Sequence, residues 1–177
     1  MPKKLKVYCY DDPVLRKKAL SIEEITPEIV ELAEDMIETM IQHKGVGLSA
    51  TQVGVLKRIF IIRDEWTDAS GTYQLGPPEV IINATLSKPS EEKQTQLEGC
   101  LSLPGLYLNV ARPKAIHVRY QNLKGEWIEE AFKDFRARVT MHENDHLNGV
   151  LIIDRTSKSE RKKAEPHLLA IKKKYNP

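Results

Sequence analysis

His142-Glu143-Asn144-Asp145-His146 sets two imidazoles four residues apart, with a carboxylate directly after the first. On a helix, positions i and i+4 share a face, about 5–6 Å apart at Cβ, so both rings can hold one metal ion. At 3.6 residues per turn Glu143 lies about 100° round the axis from His142. It can flank such an ion without ligating it and take a proton from metal-activated water, the general-base arrangement of metallohydrolases. Phe135, Ala137 and Val139 just upstream are apolar, which embeds the polar pair in a core instead of a solvated face.

A catalytic metal needs a third protein ligand. Two candidates stand open. Asp154 lies eight residues beyond His146. Cys100 lies in Glu98-Gly99-Cys100-Leu101-Ser102-Leu103-Pro104, where Gly99 permits close backbone approach and Pro104 stiffens the exit. A free cysteine is most often a small buried hydrophobe. A third segment, 45–54, reads Gly-Val-Gly-Leu-Ser-Ala-Thr-Gln-Val-Gly. Its glycines suit a backbone that lies against a ligand. No Gly-Lys-Ser/Thr follows and the dinucleotide spacing is absent, so it is not a phosphate loop. The Gln52 side-chain amide can donate to a developing oxyanion.

These residues need a frame. Thr26 caps and Pro27 opens a first helix whose stripe is Ile29, Ala33, Met36, Ile37, Met40 and Ile41, stopped by Gly45 and Gly47. Residues 6–10, 58–63 and 80–83 read as short strands, and 64–78, with Gly71, Gly76, Pro77 and Pro78, as a loop. Ile116, Val118 and Tyr120 alternate, Asn122-Leu123-Lys124-Gly125 is turn chemistry, and Trp127-Ile128 resumes a strand, so 115–132 reads as a hairpin. A second helix runs from Asp134 as N-cap to Asn148, with Gly149 as its stop, and 158–175 is weakly helical, with Pro166 breaking or starting a helix there. Strands in the middle flanked by helices, without strict alternation, predict an α+β fold of mainly antiparallel sheet around the His142–His146 helix.

The chain has 177 residues, 41% hydrophobic and 29% charged, which predicts one globular domain and excludes collagen-like and wholly disordered classes. Folding at this size buries roughly 70% of the unfolded surface, enough for a real core. No apolar run approaches the roughly 20 residues of a bilayer span, and no apolar stretch follows Lys3, Lys4 and Lys6 as in a signal peptide. Cys9 and Cys100 make no disulfide framework, which favours a reducing compartment. Net charge is +2, unevenly spread: residues 157–177 carry seven Lys/Arg against two Glu, while the rest has 20 basic and 23 acidic residues. The expected division is a body at 1–156 and a basic tail or helix at 157–177.

Taken together, 45–52, 98–102 and 142–146 resemble the peptide deformylases, whose motifs run in this order as GxGLAAxQ, EGCLS and HExDH; Asp12-Pro13 and Leu15-Arg16 fit the same family, and the likeness covers about residues 5 to 156. The resemblance implies a cytoplasmic, bacterial-type hydrolase that removes the formyl group from formyl-methionine of newly made proteins and releases formate. Cys100, His142 and His146 would bind one divalent metal with water in the fourth position, typically Fe2+, with Zn2+, Ni2+ or Co2+ as substitutes. Glu143 would move the water's proton to the leaving amine. Gln52 and the Leu101 backbone N–H would hold the formyl oxygen. Gly45, Val46, Gly47 and Gly99 would line the peptide, and Val46, Phe135, Arg138 through its stem, and Val139 the methionine pocket. Glu98 would pair with Arg112 and steady the cysteine segment, with Asp145 joining. Three departures stand out: Ser49 for the usual Ala, with little effect expected, Met141 for Gln, and Tyr107 for an Arg of some members. In some deformylases a C-terminal helix meets the ribosome near the peptide exit, so the basic tail is a candidate ribosome contact; no membrane partner is expected. Two rival classes share parts of the pattern: a zinc peptidase, against which Cys100 argues, and a non-catalytic ribosome-associated module, against which the retained Glu143 and Gln52 argue.

Overall fold

A computed structural model describes residues 1–177. The helices are α1 (Pro27–Gln42), α2 (Asp134–Leu147) and α3 (Lys158–Tyr175). The strands are β1 (Gly47–Ser49), β2 (Ile59–Ile62), β3 (Glu65–Thr67), β4 (Tyr73–Leu75), β5 (Glu79–Ser87), β6 (Lys93–Cys100), β7 (Leu103–Pro113), β8 (Ala115–Gln121) and β9 (Trp127–Lys133). All pairings between strands are antiparallel, in a five-stranded sheet of order β1-β2-β5-β8-β9 and two-stranded ribbons β3-β4 and β6-β7. The fold is α+β. No helix is long and apolar enough to cross a membrane.

Strand β2 explains the layering. Alternate side chains of a strand point to opposite faces. Ile59 and Ile61 pack with Ile29, Ala33, Met36 and Met40 of α1, while Phe60 and Ile62 pack with Ala137, Val139, Met141 and Leu147 of α2. All four β2 side chains are fully buried. Each such side chain contributes on the order of 1.5–3 kcal/mol by leaving water. The sheet is therefore clamped between two helices, and α2 is the inner one. A third core joins Leu103, Leu106, Leu108 and Val110 of β7 to Leu151, Ile152, Ile153 and to Ala164, Leu168 and Ile171 of α3.

Several local expectations change. Residues 6–10 form no strand; they run extended, with Tyr8 N–H donating to the Gln52 carbonyl and Tyr10 N–H to that of Ser102. The loop at 64–78 contains the ribbon β3-β4. The segment 93–113, not read as strand at all, is the ribbon β6-β7. Ile41 leaves the α1 stripe and faces solvent, and α1 turns off at Lys44, which takes a left-handed φ of 55°, before either glycine. Lys133, not Asp134, is the N-cap of α2, and Asp134 is itself left-handed at φ 52°. Pro166 lies inside a continuous α3, which Ser157 caps and three buried apolar side chains hold to β7. That packing outweighs the roughly 3 kcal/mol that an interior proline costs a helix. Gly149 does end α2: at φ 74° a Cβ there would lie 2.7 Å from the Arg16 carbonyl oxygen.

Candidate active site and metal centre

Three segments converge beside α2. The helix supplies His142, Glu143 and His146 from one face; β6 supplies Cys100 just after a register shift between Glu98 and Cys100; the turn Ala50–Val53 supplies Gln52. The Gln52 Oε1 accepts from the Ser49 N–H at 2.9 Å, which aims its amide nitrogen at Ser102 Oγ (3.1 Å) and Cys100 Sγ (3.6 Å). His146 Nε2 lies 3.3 Å from both Cys100 Sγ and His142 Nε2, and the three donor atoms lie within 4.8 Å of one another. Three lone-pair donors facing one point, with no lysine or arginine among them, are the donor set of a divalent transition metal open on one side. Asp154, the other candidate ligand, is committed elsewhere: it accepts from Arg16, Arg161 and the Leu151 N–H.

Glu143 sits against this set, with Oε1 3.9 Å from His142 Nε2. Burial pushes its carboxyl up from the ordinary carboxylate value, against the pull of His142 and a hydrogen bond from Ser49. Ser49 contacts this carboxylate directly. Its Oγ lies 2.7 Å from both Glu143 Oε2 and the Glu143 carbonyl, and its single proton serves one at a time. Gly47 is required for the same group: a Cβ there would lie 2.8 Å from the Glu143 Cδ.

Behind His142 the charges are paired. His142 Nδ1 is 2.9 Å from Glu98 Oε1. Glu98 accepts from Arg112 at 2.6 and 3.0 Å and from Arg138 at 2.5 Å. Burial works to raise the Glu98 pKa, but hydrogen bonds from His142 and Arg112 hold it at about 2. Arg112 also donates to Asp145 at 3.0 Å, and Asp145 accepts from Arg155 at 2.8 and 3.1 Å. Arg138 donates further to the carbonyls of Val110 and Gln94, so its guanidinium is committed to the interior.

The cleft in front has a volume of about 780 Å3. Gly45, Val46, Gly47, Gly99, Leu101, Phe135, Arg138 and Val139 all line it, as do Gln52, Glu143 and His142. Tyr107 lies across Gly99, where a Cβ would be 2.7 Å from its ring. Tyr175, from the end of α3, is also on the wall. Met141 faces away, against the sheet core. Three residues in this machinery escaped the sequence reading: Ser49 as a partner of Glu143, Thr51, whose hydroxyl holds the His146 carbonyl at 3.1 Å, and Arg155. Only Ser49 carried a signal, the three-residue spacing to Gln52 of a capping pair. Thr51 and Arg155 act across the fold.

The family model described as polypeptide deformylase matches residues 4–162. A peptide deformylase of Pseudothermotoga lettingae is 44% identical over 156 residues, covering 88% of this chain and 85% of the relative. That of Thermotoga neapolitana is 40% identical over 168 residues, covering 95% and 96%. Among solved structures, a plant peptide deformylase superposes with a TM-score of 0.88 at 32% identity, covering 99% of this chain and 92% of that one. A Met-Ala-Ser-bound peptide deformylase of Acinetobacter baumannii gives 0.80 at 31%, covering 88% and 99%. With the family's three motifs gathered at one cleft and its model matched over nearly the whole length, the chain belongs to the polypeptide deformylase family.

Proposed function

We propose that this chain hydrolyses the N-formyl group of formyl-methionyl peptides, releasing formate and a free α-amine. The observation that carries this is the convergence of Cys100, His142 and His146 within 4.8 Å, with Glu143 and Gln52 lining the same cleft. Cys100, His142 and His146 would hold one divalent ion, which when bound would supply Lewis-acid activation of water near neutral pH. Fe2+ is the native ion in this reading, with Zn2+, Ni2+ or Co2+ able to replace it; a thiolate ligand beside ferrous iron makes the enzyme oxygen-sensitive.

In the reaction, the water oxygen bonds to the formyl carbon, the C–N bond breaks, and the water's proton ends on the amine. Glu143 carries that proton; its buried carboxyl, raised in pKa, is suited both to take it and to give it up. The Gln52 amide, held by the Ser49 N–H, and the Leu101 backbone N–H donate to the formyl oxygen as negative charge grows there. Gly45, Val46, Gly47 and Gly99 present backbone to the peptide as to an added strand. Val46, Phe135, Val139 and the Arg138 stem receive the methionine side chain. The Acinetobacter relative's structure holds Met-Ala-Ser, the peptide left when formyl-Met-Ala-Ser loses its formyl group.

Residues 1–156 form the catalytic body in this reading and 157–177 an accessory helix. Lys162, Lys163, Lys172, Lys173 and Lys174 of α3 are exposed, which supports a ribosome contact that would bring a cytoplasmic enzyme to emerging nascent chains. The activity is tested by formate release from formyl-Met-Ala-Ser, using protein purified without oxygen and loaded with Fe2+ or Ni2+. Turnover is expected, absent in Glu143→Ala. No turnover in folded, metal-loaded protein would overturn the reading.

A further inference from the structure

Asp145 is next to the ligand His146, yet its carboxylate turns away from the cleft toward Arg112 and Arg155. From His142 Nδ1 an unbroken series of contacts runs outward: Glu98 at 2.9 Å, Arg112 at 2.6 Å, Asp145 at 3.0 Å and Arg155 at 2.8 Å. The four partners come from β6, β7, α2 and the turn that precedes α3. The side chains of Glu98, Arg112 and Asp145 are 6%, 5% and 12% exposed, whereas that of Arg155 is 48% exposed. Arg155 is the surface end of this series.

The stoichiometry gives that end a role. Two carboxylates, Glu98 and Asp145, face three guanidinium groups, Arg112, Arg138 and Arg155. Arg112 is shared: Nε and Nη2 serve Glu98, and Nη1 serves Asp145. While Arg155 supplies two further hydrogen bonds, Asp145 makes a light demand on Arg112. Without Arg155, a nearly buried carboxylate keeps Arg112 as its one remaining cation, and a buried charge short of partners pulls hard on what is left. The guanidinium is then drawn from Glu98, whose Oε1 fixes the ring of His142. Outer partners of metal ligands set ligand orientation and basicity in this way.

We propose that Arg155 is a positioning residue for the metal ligand His142, acting through Asp145, Arg112 and Glu98. The inference rests on the reading of Cys100, His142 and His146 as metal ligands. It also ties the metal centre to α3: the Thr156 hydroxyl, next to Arg155, reaches both the Asn109 carbonyl and Glu160 of α3 and donates to one at a time, and Ser157 caps that helix.

The test uses full-length protein loaded with Ni2+ and measures metal content, the rate of metal loss to a chelator, and kcat and KM separately. Arg155→Met is expected to lose metal about tenfold faster, at the low end of outer-partner effects, with kcat reduced and KM unchanged. Arg155→Lys is expected to recover part of this, keeping charge but not the two-pronged contact. Arg161→Met, which removes an equal charge from α3 where Arg161 binds Asp154 and the Ile153 carbonyl, is expected to match wild type. Arg155→Met/Asp145→Asn is expected to lose metal more slowly than Arg155→Met alone, because the unpartnered carboxylate is gone. Wild-type metal retention in Arg155→Met overturns the inference, as does equal loss in Arg161→Met. A wild-type chain that holds no metal overturns the site reading itself, and this inference with it.

Discussion

The two faces of α2 obey opposite rules. On the cleft face, the donors are gathered and lightly bonded to one another: Cys100 Sγ and the two Nε2 atoms face one another with the Gln52 amide at 3.6 Å from the sulfur, and the Glu143 carboxyl, pushed up in pKa by burial, accepts from Ser49. On the rear face, every charge is bonded more than once, and Glu98 alone accepts from His142, Arg112 and Arg138. The difference teaches where rigidity and reactivity are kept. The groups that the proposed reaction uses to bind an ion or move a proton stand in front of a saturated ionic layer one side chain deeper, which holds His142 in place. Of the two histidines, His142 is tied to the rear layer directly, through its Nδ1 and Glu98.

Replacing Glu143, the base of the proposed reaction, is the sharpest way to separate the two faces. Glu143→Gln should lower kcat by about 10²–10⁴, with metal content intact and thermal stability unchanged or raised, because a carboxylate whose charge is penalised by burial is removed. A large fall in melting temperature would break the comparison. Arg112→Met should instead cost stability, with metal retention falling as well because Glu98 orients His142. It leaves Glu98 to Arg138 and His142 and Asp145 to Arg155 alone, in a site where both are nearly dry, and losing one side of a buried pair costs on the order of 3–5 kcal/mol. Denaturant unfolding at neutral pH reads this directly, and a loss under 1 kcal/mol would mean that the rear layer is not saturated as described. Gly47→Ala probes the front alone. Its new Cβ meets the Glu143 carboxyl, and displacement of a reacting group by about 1 Å costs roughly 10²-fold in rate. The loss should appear in kcat, with unfolding unchanged.

The smallest effect comes from the sheet beneath α2, where Tyr120 stacks edge-on to Phe132 at 6.0 Å and donates to Glu130 at 3.0 Å. Burial, then the Glu130 hydrogen bond, raise its pKa from 10.0 to about 12. A raised folded value means that the unfolded chain releases the proton first. The contribution is whole below about pH 10 and is lost as pH rises towards 12. Tyr120→Phe should flatten the stability profile in that interval, and an unchanged slope would show that the residue does not titrate on unfolding.

The legibility of these regions followed the range of the interactions that make them. The site was readable because its donors lie in three short contiguous stretches, and helical spacing alone puts His142 and His146 on one face. The sheet centre was readable at β2, β5 and β8 because apolar, β-branched runs dominate there. The β6-β7 ribbon was not, although Leu106, Leu108 and Val110 alternate cleanly; its partner Lys93–Cys100 is polar and mostly exposed, so it carries no apolar pattern of its own. Strands β3 and β4 have three residues each, too few for any period. The left-handed Asp134 and the unbroken helix through Pro166 depend on tertiary packing that overrides local preference. Arg155 was illegible for the same reason: its meaning is set by Asp145, across a turn and a helix end.

One contact at the end of α3 bears on how the molecule is built in time. The Asn176 side chain donates to the carbonyls of Cys9 and Tyr10, across 167 and 166 residues of sequence, while Tyr175 beside it stands on the cleft wall. The hairpin β8-β9 can close as soon as its own short turn has formed, but this seam joins segments 166 and 167 residues apart. Contacts of long sequence separation form late and slowly. The sheet and α2 can therefore assemble while the cleft still lacks one wall, and the site takes its finished shape only when the end of α3 docks against Cys9 and Tyr10.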